Sequence, residues 1–463
     1  MRTSSATFAL ACCCVLWACS SDSNGSDSLA HANAGSPAPE PASQPLTYWK
    51  DMAPLFAEHC MRCHRDAGIA PFRLDDYAQA KTFAKLIEKV TRERSMPPWS
   101  VTSDGSCGDF ADSEALNDDE IARISTWVRG GALEGTRRSI EVPEAPRLTR
   151  ATELETPDFL PVIQGGELAE FDEYRCFMLD APTSTNAFIT GYDVEPGTPE
   201  IVHHVLVAVV DPGAPAEDSD LPGQTNLDRM RALDAESPDR DGWPCFGMAG
   251  DGVSVDAAPV VWAPGQGTVK YPDDSGIRLH PSDKLVIQVH YNLADERQRG
   301  KRDQTTVHVQ IVPKVKNVAM FVLQDSLLAS LEDEQPLTLP AGQRSTIYTW
   351  SQTAEEMGLE GLSEAQLYGV MPHMHQLGRK YRMTISSPGE PERCAADVQH
   401  WDFHWQRQYF YAKPMTIKPD TTIRVTCDYD TSSVTQPVKP GWGTRNEMCL
   451  AALFVTVPSA ALR

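Results

Sequence analysis

Residues 202–210 read Val-His-His-Val-Leu-Val-Ala-Val-Val, an almost continuous run of β-branched and aliphatic side chains. Similar short runs, bounded by Pro, Gly or Asp, occur as AFITGYD (187–193), KLVIQVHYN (284–292), TVHVQIV (306–312), TTIRVTCDYD (421–430) and AALFVTV (451–457). This pattern is typical of antiparallel sandwiches and not of alternating βαβ units. We therefore expect two antiparallel, jelly-roll-like β-sandwich domains, at residues 156–300 and 301–463.

The whole chain has 463 residues and a mass of 51.0 kDa, enough for about three domains of ordinary size. Its net charge of −23 makes a nucleic-acid-binding face improbable. A hydrophobic fraction of 41% is typical of globular proteins, and 35 Pro with 30 Gly favour a loop-rich, β-leaning architecture. These values exclude integral membrane proteins, nucleic-acid binders and disordered scaffolds. Twelve cysteines are many for a cytosolic protein of this size.

The N-terminus predicts export. A basic start at Arg2 precedes an apolar stretch, residues 6–18, that is too short to cross a bilayer. The sequence Leu-Trp-Ala-Cys ending at Cys19 resembles a bacterial lipobox, although Trp17 is unusual in that motif. Cys12, Cys13 and Cys14 are rival cysteines, and an ordinary cleaved signal peptide is the alternative.

We expect a lipoprotein signal peptide at residues 1–19 with Cys19 lipidated. Residues 20–45 are rich in Ser, Asp, Ala and Pro and predict a flexible linker. The protein would then be an outer-membrane lipoprotein in the periplasm, held at the membrane by its lipid anchor only.

Cys60-Met61-Arg62-Cys63-His64 is a C-x-x-C-H motif. Its two thiols can attach to the vinyl groups of haem while the histidine coordinates the iron. A redox pair or a zinc half-site is the alternative, but no second cysteine pair follows at zinc-ribbon spacing. We predict a small all-α, haem c-binding domain at residues 46–138.

The surrounding residues fit this domain. Helices are predicted at 48–59 and at 117–129, the latter with Asn117 as N-cap. The stretch resembles class I cytochromes c, whose sixth iron ligand is usually a Met near a Pro. Met96, which precedes Pro97, is the candidate; a packing role is its alternative, and Met52 and Met61 are poorer rivals.

Histidines on predicted strands suggest metal sites. His203 and His204 are adjacent, so they can share a metal only at a bulge or a strand end. His373-Met374-His375 places two imidazoles on one face of a strand, and Met448 supplies a thioether in what we expect to be an exposed loop. Imidazole with thioether favours copper.

The chain resembles the copper type II, ascorbate-dependent monooxygenases, the family of peptidylglycine α-hydroxylating monooxygenase and dopamine β-hydroxylase. The resemblance covers residues 156–463, and its motifs occur in the family's order: Tyr174-Arg175-Cys176, His203-His204, Gln288-Val289-His290-Tyr291, His373-Met374-His375-Gln376-Leu377-Gly378 and Glu447-Met448-Cys449. Weaker matches are Phe403-His404-Trp405-Gln406 and Cys427-Asp428-Tyr429-Asp430.

The resemblance implies two copper ions facing each other across a solvent gap. His203, His204 and His290 would hold one that stores and passes an electron. The set His373, His375 and Met448 would hold the other, where O₂ binds and a C–H bond is hydroxylated. A periplasmic donor would supply two electrons per turnover, relayed by the haem instead of by ascorbate.

The family's peptide-amidating member anchors a substrate carboxylate with an Arg, an Asn and a Tyr. The corresponding residues here are apolar: Met371, Leu450 and Ala452. We therefore expect a small apolar organic substrate and not a peptide. The resemblance also implies disulfides Cys176–Cys245 and Cys427–Cys449, while Cys107 and Cys394 could bridge two domains or remain free thiols.

Two other functions stay open at this point. One is a non-catalytic electron-transfer or copper-binding lipoprotein of the periplasm, and the other is a pseudoenzyme whose sandwiches act as an assembly module.

Overall fold

The computed structural model describes residues 44–66, 70–99, 101–111, 113–142, 148–165, 171–216, 223–245, 247–264, 266–325, 338–403, 405–441 and 445–462. The signal peptide, Cys19 and nearly all of the linker predicted above lie outside these residues. No helix in the described part of the chain is both long and apolar enough to span a membrane.

Helices dominate the N-terminal part of the described chain, where α1 (Ala53–His59), α2 (Tyr77–Thr82), α3 (Ala84–Arg92) and α4 (Asp118–Arg129) lie. A further helix, α5 (Asn226–Ala235), lies among the strands that follow. Short π or 3₁₀ turns lie at Tyr48–Met52, Glu296–Gln298, Glu355–Leu359 and Ser459–Leu462.

The predicted helix start at Asn117 is confirmed. Its side chain accepts from the Glu120 backbone N–H, and Glu120 returns the bond to the Asn117 N–H, so that α4 begins with a capping box. Helix α4 buries Trp127, whose ring meets Phe56 edge-on at 6.2 Å and Tyr48 at 6.3 Å. These aromatic contacts form the centre of a separate helical core.

The rest of the chain is mostly β-structure. Its strands are β1 (Ala151–Glu155), β2 (Asp172–Asp180), β3 (Ala187–Glu195), β4 (Val202–Val210), β5 (Trp243–Pro244), β6 (Ala257–Trp262), β7 (Val269–Lys270), β8 (Ser275–Leu279), β9 (Lys284–Asn292), β10 (Thr306–Val312), β11 (Asn317–Asp325), β12 (Thr346–Thr353), β13 (Ala365–His373), β14 (Gly378–Ser386), β15 (Arg393–Val398), β16 (Tyr409–Ile417), β17 (Thr422–Tyr429) and β18 (Leu450–Pro458).

Three sheets, predominantly antiparallel, contain these strands. A five-stranded sheet has the order β5-β2-β9-β4-β6, and a four-stranded sheet has the order β12-β17-β14-β15. A nine-stranded sheet, ordered β1-β10-β3-β8-β11-β18-β13-β16 with β7 beside β3, faces both. This arrangement agrees with β-sandwich packing, since each smaller sheet shares a hydrophobic core with one half of the large sheet.

The large sheet runs through the boundary predicted at residue 300. Strand β10, which the sequence places in the second sandwich, pairs with β3 of the first and with β1, which lies just before the predicted start of the first. Strands β8 and β11 then pair in parallel and join the two halves. Hydrogen bonding therefore continues from one sandwich into the other, which gives both a common rigid layer.

A segment from the predicted helical domain, residues 99–111, packs against the second sandwich. Its Val101 bridges to Val398 and its Phe110 to Tyr411. The Phe110 ring stacks on that of Tyr411 with centroids 4.9 Å apart. This contact fixes the helical region against β15 and β16.

Candidate metal centres and the cavity between them

The first histidine cluster forms at a β-bulge. Strands β4 and β9 pair with Val202 opposite Tyr291 and His204 opposite His290, so that His203 is an extra residue. The register shift removes the usual alternation of adjacent side chains. A bulge of this kind was the condition under which His203 and His204 could share a metal. The Nδ1 atom of His203 lies 3.4 Å from that of His204 and 3.1 Å from that of His290, and the His204–His290 distance is 3.2 Å.

The triangle of nitrogens fits a metal ion. A point equidistant from the three Nδ1 atoms lies about 1.9 Å from each, close to the usual metal–imidazole bond of about 2.0 Å. Burial lowers the pKa of His204 well below its ordinary value, and the neighbouring histidines lower it further. The neutral imidazole offers a lone pair for coordination.

Two neighbours hold His290 in place. The Asp172 carboxylate lies 3.1 Å from its Nε2, on the far side of the ring from the cluster. The Tyr174 ring stacks on the imidazole with centroids 3.9 Å apart and planes 11° apart. A carboxylate behind a histidine is the usual way to orient a metal-binding imidazole.

A second cluster lies where β13 ends and β18 begins. His373 is the last residue of β13 and pairs with Leu450 of β18, while His375 follows the strand in a turn. The two imidazoles are perpendicular, with centroids 5.1 Å apart. Both line the same cavity as Met448, which immediately precedes this part of β18.

Each imidazole of this second cluster is held through Nδ1. His373 Nδ1 pairs with Oε1 of Gln406, and His375 Nδ1 lies 2.9 Å from the carbonyl oxygen of Asn446. When Nδ1–H donates to these acceptors, Nε2 carries the lone pair that a metal needs. Burial lowers the pKa of His373 to about 4, so its imidazole is neutral at neutral pH.

The expectation of an exposed Met448 is wrong. Its side chain is 1% exposed, because the chain around it is pinned from several directions. The Tyr429 hydroxyl donates to the Met448 carbonyl at 2.6 Å, and the Trp350 indole N–H donates to the Cys449 carbonyl at 3.0 Å. The thioether is therefore presented by a fixed turn.

Glu447 has a role that its place in the motif did not reveal. Its buried carboxylate accepts the backbone N–H groups of His375 at 2.9 Å and Leu377 at 2.7 Å. Burial raises the pKa of Glu447 to about 8. The side chain ties the Met448 turn to the His375 turn, so the two sets of donor atoms share one support.

Both clusters line one cavity of about 330 Å³. The remaining lining is largely apolar and includes Leu206, Val261, Phe321, Leu323, Met371 and Leu450. No Asp, Glu, Lys or Arg of the described residues lines it. The predicted gap between the clusters is therefore present, but the Phe403 ring lies within it, 5.3 Å from the His203 ring and 6.0 Å from the His375 ring.

A second cavity, of about 390 Å³, lies in the helical region. Cys60, Cys63, His64 and Met96 all line it, whereas the rivals Met52 and Met61 are fully buried in the helical core. His64 Nδ1 lies 2.9 Å from the Phe72 carbonyl oxygen, which leaves Nε2 for a ligand.

The two cysteines of the motif are free thiols in this structure. Burial raises the pKa of the Cys60 thiol to about 12 and also raises that of Cys63. The apolar cavity and its four candidate groups fit a covalently attached haem.

The cysteines of the described residues form three disulfides: Cys176–Cys245, Cys427–Cys449 and Cys107–Cys394. The first two are the pairs that the family resemblance implies. The third decides the open question about Cys107 and Cys394, and it connects the segment 99–111 to strand β15.

We expect removal of the Cys427–Cys449 disulfide, by Cys427→Ala with Cys449→Ala, to lower the free energy of unfolding by about 3 kcal/mol. It should also weaken Cu(I) binding, because Cys449 fixes the residue that follows Met448. Guanidinium titration and a Cu(I) competition assay measure the two effects. The Cys107→Ala, Cys394→Ala variant is the control; it should lose stability but keep its Cu(I) affinity. Equal Cu(I) affinity in both variants would contradict the proposed role of the first bridge.

Comparison with known proteins gives one family match in the C-terminal part of the chain and several partial matches to curated proteins. Residues 327–455 match the family model for the copper type II ascorbate-dependent monooxygenase C-terminal domain. His373, His375 and Met448 lie inside this match, whereas His203, His204 and His290 lie outside it.

Three curated relatives illustrate the similarity. DBH-like monooxygenase protein 1 of Gallus gallus is 26% identical over 196 residues, 42% of this chain and 32% of the relative. Tyramine beta-hydroxylase of Caenorhabditis briggsae is 23% identical over 196 residues, covering 42% and 33%. Dopamine beta-hydroxylase of Rattus norvegicus is 21% identical over 194 residues, covering 41% and 30%. The matched stretch thus spans about a third of each relative, and the matches show that part of this chain is similar to copper type II ascorbate-dependent monooxygenases.

Proposed function

We propose that this protein is an exported copper-dependent monooxygenase that hydroxylates a C–H bond of a small apolar organic molecule with O₂. The observation that carries the proposal is the convergence of two unlike donor sets on one apolar cavity. Three imidazoles approach from β4 and β9, and two imidazoles with a thioether approach from β13, its following turn and the residues before β18. A carrier or a storage protein has no need of two dissimilar sites that share a substrate-sized space.

The donor sets suit copper. Neutral imidazole binds both copper oxidation states, and a thioether favours Cu(I), so Met448 is matched to a site that is loaded in its reduced form. Copper bound there would supply the redox and oxygen chemistry. The chain keeps the His373 imidazole neutral, fixes the orientation of both imidazoles through Asn446 and Gln406, and surrounds the site with apolar groups.

The net reaction requires electrons from outside the site. A substrate C–H bond, O₂, two electrons and two protons give one alcohol and one water. We propose that a haem c held by Cys60, Cys63, His64 and Met96 supplies these electrons one at a time, and that a periplasmic one-electron donor reduces the haem again. The cavity beside the C-x-x-C-H motif supports this role.

The substrate proposal rests on the cavity wall. Met371 and Leu450 occupy two of the positions where the amidating relative binds a carboxylate, and both line the cavity. Burying an unpaired charge against such a lining would be costly. We therefore propose a neutral substrate, bound by shape and apolar contact.

The proposal extends to the export and the domain organisation of the protein. Residues 1–19 would form a lipoprotein signal peptide with Cys19 as the lipidated residue, and residues 20–45 would be the linker. The helical domain would occupy 46–138 and the sandwiches 156–300 and 301–463. The mature protein would then be anchored by lipid at the periplasmic side of the cell envelope.

The deciding experiment is product analysis under ¹⁸O₂ with the metal-loaded full chain. We expect two copper ions and one iron per chain, and one ¹⁸O atom in the product formed from propylbenzene. Phenethylamine, which has the same shape but carries an ammonium group, should be hydroxylated at least tenfold more slowly. Metal-replete protein that forms no labelled product, from either probe or from a host small-molecule extract, would contradict the enzyme assignment. Equal rates with the two probes would contradict the apolar substrate.

A further inference from the structure

Phe403 and residues 405–407 lie between the cavity lined by the two histidine clusters and the cavity beside the C-x-x-C-H motif. Among the described residues, Gln406 alone lines both cavities. On one side its Oε1 pairs with His373 Nδ1. On the other side it shares the second cavity's wall with Cys60, Cys63 and His64. One carboxamide therefore joins a proposed copper ligand to the wall of the proposed haem site.

The segment is anchored to the motif itself. Arg407 forms an ion pair with Glu114 at 3.2 Å, and Glu114 pairs at 2.5 Å with Arg62, which lies between the two motif cysteines. The Arg407 guanidinium also lies over the Trp99 ring, 5.1 Å from its centroid. These half-buried contacts hold Gln406 at a fixed position between the two cavities.

We propose that Gln406 is the electron-entry residue, so that the centre at His373, His375 and Met448 is reduced by the haem before the three-histidine centre. This inference rests on the proposed function. In each step one electron leaves a ferrous haem, which becomes ferric, and reduces one Cu(II) to Cu(I). An external one-electron donor restores the ferrous haem. No proton or leaving group is involved, because both partners remain coordinated.

A rival path crosses elsewhere. Trp262 and Ala263 line the first cavity, and Gln266 lines the second. The Gln266 carboxamide donates to the Tyr192 hydroxyl at 2.8 Å, and the Gln266 backbone carbonyl accepts the Trp262 indole N–H at 2.9 Å. This path therefore reaches the wall of the first cavity at Trp262, whereas Gln406 is bonded directly to a metal-site imidazole.

Phe403 extends the path from the first acceptor to the second. Its ring stacks on His203 at 5.3 Å and meets His375 edge-on at 6.0 Å. Its carbonyl accepts Nε2–H of Gln406 at 2.7 Å. The ring therefore contacts one imidazole of each cluster, and the entry residue is bonded to the same peptide.

The test measures haem reoxidation directly. The haem of anaerobic, Cu(II)-loaded protein is reduced by a laser pulse, and its absorbance is followed. We expect Gln406→Leu to slow reoxidation at least tenfold. Gln266→Leu, the matched control that also lines the haem cavity, should change it less than twofold. Copper EPR distinguishes electron transfer through Gln406 from a purely structural role of this residue. Gln406→Glu, which keeps an oxygen beside His373, should restore both the wild-type EPR spectrum and the wild-type rate of haem reoxidation.

The order of reduction is tested with ligand variants. His373→Ala, and Met448→Ala as a second variant of the same centre, should abolish the fast haem reoxidation of the wild type, whereas His203→Ala should retain it. Loss of fast haem reoxidation only in His203→Ala, or an unchanged reoxidation rate in Gln406→Leu, would overturn the inference while leaving the monooxygenase proposal intact. Absence of haem or copper from the wild-type chain would instead overturn the proposed function.

Discussion

Replacement of His375 by alanine is expected to lower hydroxylation at least a thousandfold, a loss of about 4 kcal/mol of transition-state stabilisation. His375 is fixed from three sides: Asn446 accepts its Nδ1–H, Glu447 accepts its backbone N–H, and the Trp401 indole donates to its carbonyl. Nε2 therefore has one orientation, toward the cavity. No neighbouring side chain of the same cluster can replace it, because His373 and Met448 are already assigned to the same metal.

The measurement combines product formation with metal content. His375→Ala should bind one copper per chain instead of two and should retain the haem spectrum. His308→Ala is the control, since His308 lies on β10 near Glu153 and Glu195 at the surface, away from both cavities. It should keep full activity and both copper ions. Undiminished hydroxylation by His375→Ala would remove this residue from the catalytic site.

The sequence predicts the donor residues better than it predicts their surroundings. Alternation along a strand places His203 and His204 on opposite faces, and only the register between β4 and β9 determines that a bulge brings them together. That register depends on partners 74 to 89 residues away in the sequence, which a local pattern does not contain. The histidine residues were therefore identified from their motif order, while their convergence is a property of the folded sheet.

The burial of Met448 shows the same limitation. Polar and charged neighbours such as Glu447 predict an exposed loop. In the structure Glu447 faces inward, because two backbone N–H groups compensate part of its desolvation. No local sequence pattern predicts that an acid beside a metal-binding methionine is buried, although the position of Glu447 in the Glu-Met-Cys motif was a hint.

Domain boundaries were the least predictable feature. The helical domain was predicted to end at residue 138 and the first sandwich to begin at 156, and β1 (Ala151–Glu155) lies between these bounds. No break in the sheet marks residue 300, because β10 completes the first half of a sheet that then continues into the second. Segment 99–111 was assigned with the helices by position, yet its Val101 and Phe110 pack in the core of the second sandwich. Long-range pairing of this kind appears only in the tertiary structure.

The second large effect concerns the C-x-x-C-H motif. Replacing both cysteines, by Cys60→Ala with Cys63→Ala, is expected to abolish covalent haem attachment completely. The peptide turns tightly here: the Cys60 backbone N–H donates to the Phe56 carbonyl at 2.8 Å, and the His64 backbone N–H donates to the Cys60 carbonyl at 2.9 Å. This turn places both thiols and the imidazole on the wall of one cavity, so each cysteine can form one thioether bond.

Haem staining of a denaturing gel measures attachment, and hydroxylation with either a cytochrome donor or ascorbate measures its use. The double variant should lose the stain and the cytochrome-driven activity, yet ascorbate should still drive product formation, because the copper ligands belong to other strands. The Cys107→Ala, Cys394→Ala variant also loses two cysteines but should keep its stain. Covalent haem in the Cys60→Ala, Cys63→Ala variant would refute the attachment site. Loss of the ascorbate-driven reaction as well would mean that the helical domain supports the copper centres structurally, through contacts such as Arg407 with Glu114, and not only by delivering electrons.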